Sequence, residues 1–149
     1  TRHVGGRHEM EARMKRLTLT LGFAAMIAAA SPAVAQVPLS EETHINDSLR
    51  AGRIGDVIRN ACPTISARMF VVLGKIEDLK RYALDNGYTR DEVEEFIKNK
   101  DQKNRLKAEA AAYLAAAGAV EGDAESYCRV GRDEIAKGSL IGELLRSSE

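Results

Sequence analysis

A chain of 149 residues is long enough for one domain with a modest core and too short for two ordinary ones. Lys plus Arg number 22 and Asp plus Glu 22, so no basic excess points to nucleic acid or to an anionic membrane surface. Tryptophan is absent and aromatics make up 5% of the residues, which argues against a stacking platform for sugars or bases.

Residues 1–13 show no periodicity and precede Met14, which reads as a natural start. They are expected to be an over-extended gene start forming a disordered tail, so His3 and His8 are not counted as ligands. Residues 14–35 read as a signal peptide. Met14-Lys15-Arg16 is the basic start, Leu17 to Ala30 the apolar run, and Ser31-Pro32-Ala33-Val34-Ala35 the small-x-small end. Cleavage is expected before Gln36, which would place the mature chain in the periplasm. A membrane-spanning anchor is the competing reading. The run falls short of the ~20 apolar residues a span needs, and its Pro and small residues favour cleavage with no stable insertion afterwards. No cysteine sits at the cleavage point to carry lipid, and Lys15-Arg16 is not a twin-arginine pair. Gln36 to Glu149 is 114 residues; losing five basic and two acidic side chains leaves 17 against 20, a net charge of −3.

In chain order, Gln36 to Leu39 is a lead-in, and Ser40-Glu41-Glu42-Thr43 offers capping chemistry, with Asn46-Asp47 as a second start. Ile45, Leu49, Ile54, Val57, Ile58 and Ala61 then read as a helix ending near Asn60. Gly52 and Gly55 weaken it by up to ~1 kcal/mol each relative to alanine, and suit a close helix crossing. A break is expected near Cys62, because the residue before a proline avoids helical geometry. From Pro63 to Gly87 comes the strongest stripe in the chain, predicted to be the central helix. Ile65, Met69, Val72, Ile76, Leu79 and Ala83 alternate at spacings of four and three, and Phe70, Leu73 and Leu84 widen the face. Pro63 suits a first turn and Gly87 the left-handed position past the last one.

Thr89-Arg90-Asp91-Glu92 is a capping box that opens a short helix with Val93, Phe96 and Ile97 inward. Its acidic first turn suits the positive end of the helix dipole. The next helix is expected from about Asp101, with Leu106, Ala110, Tyr113, Leu114 and Ala117 as its stripe and Gly118 as its end. Asp123 can cap a further helix carrying Tyr127, Cys128, Gly131 and Ile135 on one side. Lys137-Gly138-Ser139 closes that helix and caps a last one burying Leu140, Ile141, Leu144 and Leu145, after which Ser147 to Glu149 are expected to fray. No strand-like alternation appears. The fold class predicted is all-α, a compact bundle of about five or six short helices.

Two cysteines in an exported chain allow one pairing, Cys62 with Cys128, in an oxidising compartment. Such a bridge would tie the central helix to the C-terminal part and stabilise the fold by ~4 kcal/mol in the chain-entropy account. Two buried free thiols or a redox pair are the alternatives; no C-x-x-C is present for thioredoxin-type exchange.

Catalytic inventory is thin. Past the leader the chain has one histidine, His44, and no nucleophile motif surrounds any serine. A zinc site would have to combine His44 with carboxylates alone, and there is no C-x-x-C-H haem motif and no Gly-rich phosphate loop. Asp85-Asn86-Gly87 has a superficial calcium-loop look, but counting from Asp85 the obligatory glycine position holds Arg90. Glu92 and Glu95, or Asp91 and Glu95, can share a helix face like a carboxylate pair; a solvated, cap-favouring face explains them more simply. No enzyme activity, cofactor or metal is therefore expected. Arg129 and Arg132, three apart on one face, are candidates for docking an acidic partner, against the plainer reading of a solvated face where Arg129 pairs with Asp133.

The combination of a leader, Cys62-Pro63, Asn86-Gly87-Tyr88-Thr89 and Ser126 to Ile135 followed by Gly138-Ser139 and Ile141-Gly142 resembles a family of small exported alphaproteobacterial proteins, a domain of unknown function. The resemblance implies a partner in the cell envelope, with the respiratory NADH–quinone oxidoreductase as the candidate. The expected function is that of a non-enzymatic periplasmic accessory protein. An acid-type envelope stress chaperone and a small-ligand carrier are the alternatives, the first by analogy of architecture.

Overall fold

The computed structural model describes residues 36–148; the expected gene start and signal peptide lie outside them. Helix α1, Thr43–Ala61, is the element on which most others pack. The Glu42 carboxylate starts it by accepting from the Ile45 N–H at 2.6 Å. Ile45, Ala51, Ile54, Gly55 and Ile58 form its buried face, at the three- and four-residue spacing of a helical stripe. It stops at Cys62, which is extended (φ −105°, ψ 118°), as a residue before proline tends to be.

Beyond Pro63 the chain does not enter the expected central helix. Ile65–Ala67 is a short strand, β1, paired antiparallel with β2, Leu145–Ser147, with Ile65 opposite Ser147 and Ala67 opposite Leu145. The Ser148 N–H donates to the Thr64 carbonyl at 2.9 Å, so the expected fraying at Ser147 and the helical assignment of Leu145 are both corrected. Helical spacing between Ile65 and Met69 is a local property; the partner that makes Ile65 a strand residue lies about 80 residues further on. The helix α2 proper runs Met69–Asp85 and ends at Asn86, with Gly87 at φ 88°.

Helix α3, Arg90–Lys98, opens on the expected box: Thr89 Oγ1 accepts from the Glu92 N–H, and the Glu92 carboxylate accepts from the Thr89 N–H. Val93 and Phe96 are half-buried, while Ile97 is exposed. Helix α4, Lys100–Ala116, is capped by Asn99 and buries Gln102, Ala110 and Leu114; of the expected stripe, Ala117 is exposed and Tyr113 is partly exposed with its hydroxyl turned to α5. Helix α5, Ala124–Lys137, starts at Asp123 and ends at Gly138 in the left-handed conformation (φ 60°). Ser139 then caps α6, Leu140–Glu143, whose Leu140 is exposed.

The buried apolar residues fall into two clusters. The larger joins α1, β1, α4, α5, α6 and β2 around Ile54, Ile58, Leu114 and Val130. The smaller sits where α2 and α3 fold onto the N-terminal half of α1, around Leu39, Ile45, Ala83 and Tyr88. Residues 36–148 thus close their own core. Cys62 and Cys128 lie at disulfide distance, S–S 2.03 Å, within the larger cluster. Because Cys62 ends α1, the pair joins α1 to α5 and not, as expected, the central helix to the C-terminal part. Gly131 lets α5 approach this junction: a Cβ there would overlap Ile65 and crowd Ile58. Gly142 is tighter still, its missing Cβ falling on the Glu134 carbonyl. Among the described residues no helix is long and apolar enough to cross a membrane.

Candidate functional site

The apolar stripe of α2 is split between two directions. Leu79 and Ala83 turn toward α1, and of these only Ala83 is fully buried, while Val72 is half-buried. Met69, Phe70 and Leu73 turn outward, with 56, 93 and 54% of their surfaces exposed, and Ile76, 44% exposed, lies at the edge, bordering the pocket that Ile45 and Leu49 line. The sequence reading took these residues as one wide stripe on the central helix of the domain; the structure buries only part of that stripe. The stripe was too wide for one packing surface, and that width is the one sign in the sequence of its second, open side. Leu84 extends the open face toward the C-terminal end of α2. Two ionised side chains lie within it, Glu77 and Lys80, whose Nζ donates to Glu77 at 2.8 Å. That contact holds the Glu77 carboxyl below the usual carboxylate range. At the edge facing α6, Lys75 pairs with Glu143 at 2.7 Å and lowers its carboxyl in the same way.

The residues singled out for partner docking, Arg129 and Arg132, are engaged with their own chain. The Arg129 guanidinium donates to the Gly118 carbonyl at 3.3 Å, and Arg132 pairs with Glu125. The four acidic residues of α3 are exposed, and Glu92 is occupied by its cap: the Thr89 backbone and hydroxyl hydrogen bonds hold its carboxyl down. His44 packs edge-on against Tyr82, ring centroids 4.4 Å apart. The Tyr82 hydroxyl donates to Glu42 at 3.0 Å, which raises the phenol, and the Ser48 hydroxyl donates to the His44 backbone carbonyl and not to its ring. Among the described residues no three His, Cys, Asp or Glu side chains are grouped to hold a metal ion.

Several concavities adjoin the smaller cluster. An open groove of about 640 Å³ runs between the lead-in and the start of α4. Its central polar groups already serve the fold: Tyr88 donates to the Val37 carbonyl at 2.5 Å, Gln102 to Asn46 at 2.9 Å, and Arg105 to Gln102 at 2.8 Å. An apolar cavity of about 70 Å³ lies under α2, lined by Ile45, Leu49, Leu79 and Phe96.

Glu134 is the functional-looking group that the sequence did not disclose. It is 2% exposed and accepts from Ser139 at 2.5 Å, Tyr113 at 2.8 Å and Lys137 at 3.2 Å. Burial pushes its carboxyl up, but the hydrogen bonds from Ser139, Tyr113 and Lys137 together outweigh that and hold it below the usual value. Ser139 Oγ in turn accepts from the Gly142 N–H at 3.0 Å, so this carboxylate links α4, α5 and the cap of α6. Arg129–Asp133, the pair expected on α5, gave no hint of it: two of the donors come from outside the helix.

Residues 37–146 match the Family of unknown function (DUF5333). The chain belongs to that family. The matched span takes in both cysteines, both apolar clusters and the open face of α2. No curated protein and no solved structure matches the chain.

Proposed function

We propose that this DUF5333 chain is a non-enzymatic accessory protein of the periplasm that works by docking to protein, through the open face of α2. The observation that carries the reading is the exposure of Phe70 at 93%, among Met69, Leu73 and Ile76 on two successive turns. Lone exposed apolar residues are ordinary; a contiguous group on one helix face is the mark of an interaction surface. The leader pattern of residues 14–35 supports export, and the resemblance to small exported alphaproteobacterial proteins supports the envelope as the place of action, with the respiratory NADH–quinone oxidoreductase as the first partner to try.

A photo-crosslinker at position 70, in cells, tests the reading. It is expected to give a defined protein adduct that a crosslinker at position 121, on an exposed loop, does not. Equal labelling from both positions, or none from either, contradicts it. Recovery of a chain beginning at Gln36 in the periplasmic fraction tests the location. An acid-type chaperone is the second reading, favoured by Glu134: its protonation would loosen the α5–α6 junction. Suppression of client aggregation at acid but not neutral pH is its test. A small-ligand carrier has less behind it: the apolar pocket under α2 holds about 70 Å³, well below the roughly 300–1,000 Å³ of small-molecule sites, and the groove of about 640 Å³ is open, with its central polar groups bonded within the fold.

A further inference from the structure

We propose that the occupant of the α2 face is a second copy of this chain, packed antiparallel about a two-fold axis; the inference rests on the reading of α2 as a docking face and names what covers it. Three observations point there. The first is the seam. Met69, Leu73, Ile76 and Lys80 follow one another at spacings of four, three and four, and Leu84 follows four further on, close to the repeat by which two helices interlock. This seam borders the Leu79–Ala83 line that holds α2 to α1: Ile76 and Lys80 edge the apolar pocket between the helices, while Met69, Leu73 and Leu84 stand clear of it.

The second is charge. The seam carries one carboxylate, Glu77, and one ammonium, Lys80, both at least half exposed. An antiparallel pair can set Leu73 of one copy beside Leu84 of the other and Glu77 beside Lys80 of the other, each contact made twice. It also opposes the two helix dipoles. A parallel pair would set Lys80 against Lys80 and Glu77 against Glu77. The face is therefore complementary to itself when inverted, and carries no excess of either sign to attract a charged partner.

The third is area. Five large apolar side chains, on average more than half exposed, amount to roughly 500–600 Å² per copy at about 150–250 Å² for a large side chain. That is near the upper end for a patch on a monomer, about 300–600 Å². Doubled, it comes close to the ~1,200 Å² at which specific interfaces begin.

Sedimentation velocity over a dilution series tests the pairing on residues 36–149, of which the described residues 36–148 close their own core. The wild type is expected to interconvert between monomer and dimer. Phe70→Glu and Leu73→Glu, both at exposed positions, are expected to stay monomeric with unchanged helicity. Glu77→Lys and Lys80→Glu are each expected to weaken association on the order of tenfold or more, because each sets like charges opposite one another twice. An equimolar mixture of these two variants is expected to restore it, since every contact between the unlike copies is then Lys against Glu. A wild type that stays monomeric throughout, or a mixture no tighter than its components, overturns the proposal. If that monomer still forms an adduct with another protein from position 70, the second copy is wrong and the docking reading stands; if it forms none, both fall.

Discussion

Helices α1 and α2 carry apolar residues at the same spacing and end in opposite surroundings. α1 buries Ile45, Ala51, Ile54 and Ile58 although two glycines interrupt it. α2 has the stronger stripe and buries Ala83 alone. What differs is the company each helix keeps. α4, α5, α6 and β1 close over α1, and the Cys62–Cys128 pair pins its end to α5. α2 meets only part of α1, the short α3 and, through Lys75, the edge of α6, so its outer side is left uncovered. Periodicity makes a face apolar; the number of elements free to cover that face decides whether it becomes core.

The largest effect expected on the α1 side comes from the sulfur pair. Replacing Cys62 and Cys128 together with serine should cost about 4 kcal/mol of unfolding free energy, read by denaturant titration. A negligible change would mean that packing alone holds the end of α1. Next is the packing itself. Ile58→Ala removes a side chain with no exposed surface and should cost about 2–5 kcal/mol.

Glu134 sharpens the comparison at the junction α1 leans on. Its folded-state carboxyl is held below the ordinary value of 4.5, so the unfolded chain binds its proton more readily. The stability this contributes is complete above that ordinary value and is lost as pH falls through the folded-state pKa. Glu134→Gln should cost about 1–3 kcal/mol at neutral pH and make the acid-side decline shallower. A decline as steep as in the wild type would assign the acid sensitivity to other carboxylates. The smallest effect belongs to α2: Phe70→Ala should change monomer stability by no more than about 0.5 kcal/mol.

Much of the fold was legible because its signals are local. Thr89 with Glu92, Asp123, Gly138 with Ser139, and Asn86-Gly87 are caps and stops whose meaning is fixed within a turn of chain. The break at Cys62 follows from Pro63 in the same way. The misreadings were non-local. Ile65 matches a helical stripe as well as a strand, and only Ser147 decides between them. Glu134 reads as a solvated acid until Tyr113 of α4 and Ser139 arrive to satisfy it. The open face of α2 was visible as residues and invisible as exposure, because Phe70 and Leu73 look the same to a pattern whether or not another element comes to cover them.

The central claim is that the outer stripe of α2 is surface in the monomer, and one measurement meets it directly. Equilibrium unfolding of Phe70→Glu is compared with the wild type at concentrations dilute enough that both are monomeric. The account predicts superimposable transitions, within about 0.5 kcal/mol. A loss of about 3–5 kcal/mol, the cost of removing a phenylalanine from a core, would show that α2 is packed after all and would contradict it.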